Sequence, residues 1–131
     1  MKIIFCLLFM AIVLSSNSQQ NNLSIKKGMT KVAVLYPTGE GKTFNWEYYI
    51  SKHVPMVKSL LGNSLKAVTF DKGIAGRTTD SPAPYVAMFF MYFESVSAYQ
   101  AAFGPNAEKI RNDIPNYTNI QAIVQISEVV E

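Results

Sequence analysis

The segment Tyr85–Phe93 (YVAMFFMYF) carries no charged residue, and this constrains the fold more than any other feature of the chain. Its aromatic content, and the loop at residues 73–84 with two glycines and two prolines before it, predict a β-strand. Successive side chains of a strand point to opposite faces of the sheet, and both alternating sets are apolar here. The pattern therefore predicts a strand that is covered on both faces.

A domain of this size can cover only one face of its sheet with its own helices. An apolar face of that size left in water is an association site. Closed two-fold dimers are the commonest oligomers, so we expect a homodimer whose sheets pack face to face.

Residues 45–61 are predicted to form a helix that Gly62 ends, because apolar residues recur there at steps of three and four. Pro55 cannot donate to the Ser51 carbonyl, and it is expected to kink the helix or restart it just after His53. The side chains predicted to face the sheet are Trp46, Tyr49, Ile50, His53, Val57, Leu60 and Leu61.

The remaining elements complete the order βαββαβ. Strands are predicted at residues 31–36, 65–71 and 120–129, a second helix runs from the cap Ser95 to about Phe103, and a short helical turn covers residues 107–111. Four strands with both helices on one face give an α+β fold, a ferredoxin-like sandwich.

The first 18 residues are typical of a signal peptide rather than of the domain. Lys2 supplies a positive charge, residues 3–14 are continuously apolar, and small polar residues follow. A membrane-spanning helix needs about 20 apolar residues, so no stable membrane anchor is expected. We predict export to the periplasm or outside the cell, a disordered mature leader at residues 19–29 and a folded domain at residues 30–131.

Composition excludes several kinds of site. Cleavage would remove Cys6, the single cysteine, and one histidine remains, so no metal site and no cofactor are expected. The pI of about 9.0 has no clustered basic patch behind it, and no nucleic-acid partner is expected. Residues 39–43 look like the end of a phosphate-binding loop, but Tyr36 stands where that motif requires its first glycine.

Three segments together identify a family resemblance: VAVLYP, FNWEYYISKHVPMV and FGPNAEKIRNDIPNYTNIQAIVQISEVV. Over residues 30–130 the chain resembles the EthD family of dimeric α+β barrel proteins. The resemblance implies sheets paired into a barrel and a pocket between sheet and helices. The wider superfamily includes cofactor-free monooxygenases, lactone isomerases, polyketide cyclases and haem enzymes, so membership implies the fold more firmly than the reaction.

His53 and Tyr49 are the candidate catalytic residues. They are four residues apart on the apolar face of the helix, so the two side chains lie together in an apolar environment. Burial disfavours the imidazolium, which leaves a neutral imidazole able to accept a proton beside a phenol able to orient a substrate or stabilise an oxyanion. The alternative is a core histidine bonded to a backbone carbonyl beside a tyrosine that only packs.

Five aromatic residues are candidates for contact with a ligand, Tyr48 at the pocket mouth. Ordinary core packing is the alternative for the other four, and an exposed or dimer-contact position is the alternative for Tyr48. The five are Tyr36, Phe44, Trp46, Tyr48 and Phe89.

The expected function is an EthD-like enzyme acting on a small apolar, aromatic or carbonyl compound. It would be a cofactor-free oxidoreductase, reductase-like or monooxygenase-like, or an acid/base catalyst such as an isomerase or cyclase. A non-catalytic exported binding protein for the same class of ligand, and a dimer with a filled core, are the alternatives.

Overall fold

The computed structural model describes residues 25–131 and contains one four-stranded antiparallel sheet in the order β2-β3-β1-β4. Its elements are β1 (Thr30–Pro37), α1 (Trp46–Tyr48), a π-helical turn (Tyr49–His53), α2 (Val54–Leu61), β2 (Ala67–Lys72), β3 (Tyr85–Phe93), α3 (Val96–Phe103), α4 (Ala107–Asp113) and β4 (Ile123–Glu128). This order and pairing confirm the ferredoxin-like α+β fold. Within residues 25–131, no helix has the length and apolar composition needed to cross a membrane.

The end of the predicted leader belongs to the folded domain. The predicted signal peptide at residues 1–18, and residues 19–24, lie outside the described residues. Beyond them, the Gly28 amide donates to the Val129 carbonyl at 2.7 Å, and the Val129 amide donates to the Met29 carbonyl at 2.8 Å. Met29 is buried. These bonds continue the pairing of β1 with β4, so Gly28 and Met29, predicted to be part of the disordered leader, belong to the sheet.

The two faces of β3 have different surroundings. Ala87, Phe89, Met91 and Phe93 are buried on the side of the sheet that meets the helices. The opposite set includes Val86, Met88 and Phe90, which stay partly exposed. Within residues 25–131 this helix-free face is covered only at one corner, where Met29 packs with Ala67 and Tyr92.

The π-helical turn changes which side chains of the first helical segment face the sheet. The Val54 amide donates to the Tyr49 carbonyl, five residues back, and α2 starts directly afterwards with Pro55 in its first turn. Pro55 thus stands at the junction between the π-helical turn and α2, and it has no amide to continue the backbone hydrogen-bond pattern across that junction. The wider turn takes Ile50 away from the sheet, and its side chain is 49% exposed. The prediction that Ile50 is buried is therefore wrong.

Candidate functional site

A cavity of about 550 Å³ lies between the sheet and the helices. Three of the residues that the sequence singles out, His53, Tyr36 and Phe89, form part of its wall. The remainder is mostly apolar: Val34, Val57, Met91, Tyr99, Phe103, Ile110, Arg111, Ile114, Tyr117, Ile120, Gln121, Ala122 and Val124. A largely apolar cavity with a few convergent polar groups has the size and character of a small-molecule site.

His53 is held by a carboxylate from a distant part of the chain. Its Nδ1 lies 2.8 Å from Oδ2 of Asp113, the last residue of α4. The other carboxylate oxygen, Oδ1, accepts from the Tyr48 hydroxyl at 2.6 Å and from the Asn116 side-chain amide at 2.9 Å. Three donors therefore fix this carboxylate in one orientation.

The protonation states follow from these contacts. Desolvation raises the pKa of Asp113, but the hydrogen bonds from Tyr48, Asn116 and His53 outweigh it, so the net shift is downward and the group is a carboxylate. Burial lowers the pKa of His53 below its ordinary value of 6.5, and the nearby Asp113 opposes this only in part. His53 is therefore a neutral imidazole at pH 7. A carboxylate has no proton to give, so Nδ1 of His53 donates and Nε2 is left as the acceptor.

Two tyrosines extend this arrangement into the cavity wall. The Tyr117 hydroxyl lies 3.4 Å from Nε2 of His53, a long hydrogen bond, and 2.7 Å from the Tyr36 hydroxyl. Burial raises the pKa of both Tyr117 and Tyr36, so both keep their protons. We call the hydrogen-bonded series Asp113–His53–Tyr117–Tyr36 the relay. It places a proton acceptor and phenolic donors side by side against an apolar space, which is what general acid/base chemistry requires.

Tyr49 lies behind His53 rather than in the cavity wall. Its ring is fully buried and stacks on the imidazole, with the ring centroids 5.5 Å apart and the planes 17° from parallel. Among residues 25–131, no hydrogen-bond partner reaches its hydroxyl. Burial raises the pKa of this phenol far above its ordinary range, so it stays neutral. The Tyr49 ring therefore packs against one face of the imidazole, while Asp113 holds the imidazole edge.

The other aromatic candidates also lie outside the cavity wall. Phe44 packs on Trp46 and on Tyr49, with ring centroids 4.8 and 4.9 Å apart. For Tyr48 the sequence leaves open the pocket mouth, an exposed position or the dimer contact, and the structure places its hydroxyl on the carboxylate of Asp113. These residues therefore contact the relay or the aromatic cluster behind it.

Sequence reasoning missed Asp113 and Tyr117. Both lie in the segment DIPNYTN, which contributed to the family resemblance but received no role. One signal was available, since a histidine acting as an acid or base needs a partner that fixes its tautomer, and a carboxylate is a frequent partner. The separation of 60 residues between His53 and Asp113 hides that pairing from any local pattern. Within residues 25–131, no three acidic, histidine or cysteine side chains come together as metal ligands would.

The fold and the cavity define a class, that of small ferredoxin-like α+β domains with a pocket between sheet and helices. The family model of the EthD domain matches residues 38–121. The crystal structure of an EthD-like protein from Ralstonia eutropha JMP134 is similar, with 42% sequence identity and a TM-score of 0.76, over 81% of this chain and 96% of that one. The chain belongs to the EthD family.

A more distant solved structure shares the fold. It is an ethyl tert-butyl ether D (EthD) family protein from Bacillus halodurans C-125, 16% identical with a TM-score of 0.56, over 76% of this chain and 97% of that one. At that identity the likeness extends to the fold alone. No curated protein is significantly similar to this chain.

Proposed function

We propose that this protein is an EthD-type enzyme that performs acid/base chemistry, without a cofactor, on a small apolar or aromatic molecule bearing a hydroxyl or carbonyl group. The observation that carries the proposal is the relay, whose neutral imidazole and two phenols form part of the wall of an apolar cavity of about 550 Å³. The carboxylate holds the imidazole so that its free nitrogen faces the Tyr117 hydroxyl at the cavity wall, which is the orientation that a base requires.

In the proposed reaction Nε2 of His53 accepts a proton from the substrate. Asp113 stabilises the imidazolium that forms, because its carboxylate lies on the opposite ring nitrogen. The long Tyr117 bond to Nε2 exchanges readily for a substrate, and the Tyr117 hydroxyl then donates to the substrate oxygen as negative charge develops there. Tyr36 supports it through their mutual bond. Isomerisation and cyclisation of an enolisable compound begin from the resulting enolate or phenolate, and oxidation would in addition require dioxygen as a co-substrate to accept the electrons.

The test starts from the small molecules that remain bound to the protein during purification. We also propose export, on the sequence of residues 1–18, so the mature chain beginning near Gln19 is the form to use. Mass spectrometry of small molecules extracted from that purified protein should identify a compound of the proposed class. Incubating fresh compound with the protein should convert it into a product of different mass or retention, and heat-denatured protein should not. Binding without conversion would contradict the enzyme and identify a binding protein instead.

We further propose that two copies pair through the helix-free face. Ala33, Leu35, Val86, Met88 and Phe90 give that face an apolar surface, and all five remain partly exposed in the single chain. Lys31 lies over it, its Nζ 4.1 Å from the Phe90 ring centroid. Thr69, Asp71 and Gln125, the cross-strand partners of Phe90, Met88 and Ala33, are further polar residues on this face. The second copy would remove the apolar area from water.

Sedimentation velocity at micromolar concentration should give twice the mass of the mature chain. Phe90→Glu should give the monomer, because the substitution places a carboxylate in the buried interface. Ile74→Glu is the matched control, since Ile74 is 95% exposed in a loop, and it should remain dimeric. A wild-type protein that sediments as a monomer, or a dimer that survives Phe90→Glu, would contradict this interface.

A further inference from the structure

The cavity wall contains one permanently charged residue, Arg111. Arg111 is in α4 and is exposed, so its guanidinium sits where the cavity meets solvent. Its guanidinium carbon lies 5.8 Å from the centroid of the Phe103 ring, another wall residue. A cation–π contact of this length attracts the guanidinium towards the ring while leaving its N–H groups free to donate.

No acidic side chain in the described part of the chain neutralises Arg111. The single ion pair found there joins His53 to Asp113. Asp113 is two residues from Arg111 on the same helix, a spacing at which side chains do not face each other, and its oxygens are already bound. Glu108, one turn earlier, makes no ion pair with Arg111. The guanidinium therefore has its donors available for a ligand.

The positive charge of Arg111 is felt inside the cavity. Tyr99 is a wall residue whose pKa is raised by burial, and the charge of Arg111 opposes that rise. Lys31 and Lys72 lie instead over Phe90 and Trp46, and neither is part of the cavity wall. Among the described residues, Arg111 is thus the one permanently charged side chain in the cavity wall.

We propose that the substrate is an apolar or aromatic acid, whose anionic group binds Arg111 at the mouth while its hydroxyl or carbonyl oxygen reaches His53 and Tyr117. A planar guanidinium binds a carboxylate through two parallel hydrogen bonds, which fix direction as well as position. Arg111 would then determine specificity and decide which end of the substrate meets the relay. This inference rests on the proposed function and adds to it the class and the orientation of the substrate.

The test compares two probes of similar shape, 6-hydroxy-2-naphthoate and 2-naphthol, in calorimetric titrations of the mature protein. The naphthoate should bind about 2- to 10-fold more tightly, because the guanidinium is exposed and solvent partly screens its ion pair with a carboxylate. Arg111→Gln should abolish this preference, and Arg111→Lys should retain part of it. Arg77→Gln is the matched control, because Arg77 is exposed and lies outside the cavity wall, and it should leave the preference unchanged.

Binding in the cavity has its own signature, because His53 is the single histidine and gives one set of imidazole signals. These signals should shift on addition of the naphthoate. Equal affinity for the two probes, or a preference that survives Arg111→Gln, would overturn the inference. If the extracted compound is nevertheless converted, the proposed function stands without it. If the preference depends on Arg111 but the extracted compound is not converted, the anion-binding role of Arg111 stands and the proposed enzymatic function is contradicted.

Discussion

His53→Gln should lower the turnover of the extracted compound about 10²- to 10⁴-fold, the range over which general acid/base catalysis contributes. Glutamine keeps a polar side chain at this buried position, but it cannot take up a proton, so the first step loses its base. Lys52→Gln is the matched control, because Lys52 is the exposed neighbour of His53, and it should retain wild-type turnover. Equal rates for His53→Gln and the wild type would contradict the assignment of His53 as the base.

Asp113→Asn extends this prediction to a positioning residue. The asparagine amide can donate to Nδ1 of His53, which would favour the tautomer with its proton on Nε2 and remove the acceptor that faces Tyr117. Turnover should fall about 10²- to 10⁴-fold while affinity for the compound changes little, as expected for the wrong tautomer in such a site. Loss of affinity and turnover together would indicate a merely structural carboxylate.

The pH dependence follows from the shifted pKa values. Burial lowers the pKa of His53 below 6.5, so wild-type turnover should fall only when the pH drops below that value. The unfolded chain takes up this proton first, so the free energy of unfolding also falls as the pH decreases from about 6.5 to the folded pKa. In Asp113→Asn the partner that favours the imidazolium is gone, and an NMR titration of His53 should show a still lower pKa.

Local patterns were sufficient for the fold. The uncharged run of β3, the cap at Ser95 and the breaks at Gly62 and Pro37 are each decided within a few residues, and those elements formed where expected. The error at Ile50 has a different origin. The prediction assumed an uninterrupted α-helix, whereas a π-helical turn covers Tyr49–His53, and within it Ile50 is exposed while Tyr49 and His53 stay buried.

The candidate site was predictable only in part. His53 could be placed on the buried face because the spacing of apolar residues along a helix can be determined from neighbouring residues alone. Asp113 and Tyr117 reach it because the end of α4 and the turn after it lie against the π-helical turn that carries His53, a tertiary relation that no spacing in the sequence records. Arg111 lacked a signal for the same reason, since exposed arginines are ordinary and only the cavity distinguishes this one.

The sequence leaves two interpretations open for Tyr49, contact with the substrate or packing in the core. Its surroundings in the structure distinguish between them. Its ring is fully buried and lies within 5.0 Å of the Tyr117 ring and 5.5 Å of the His53 ring, measured between centroids. Its hydroxyl has no hydrogen-bond partner among the described residues and is absent from the cavity wall. The ring should therefore matter for the stability of the fold, whereas the hydroxyl should matter for neither stability nor turnover.

Tyr49→Ala should lower the free energy of unfolding by about 3–5 kcal/mol, the usual cost of removing a buried aromatic ring. That is a large part of the roughly 5–15 kcal/mol that stabilises a small domain, and thermal denaturation should show it as a melting temperature lower by about 4–8 °C per kcal/mol. Tyr49→Phe removes only the unpaired hydroxyl, so stability should be unchanged or about 1 kcal/mol higher, with turnover intact.

Tyr117→Phe makes the same chemical change on the neighbouring ring and supplies the comparison. It removes a hydroxyl of the relay and leaves the buried Tyr36 hydroxyl without the partner it has at 2.7 Å, so stability should fall by about 1–3 kcal/mol. Turnover should fall as well, because the proposed donor to the substrate oxygen is gone. If Tyr49→Phe instead lost turnover and Tyr117→Phe kept it, the Tyr49 hydroxyl would be the group that acts on the substrate. The relay would then end at His53.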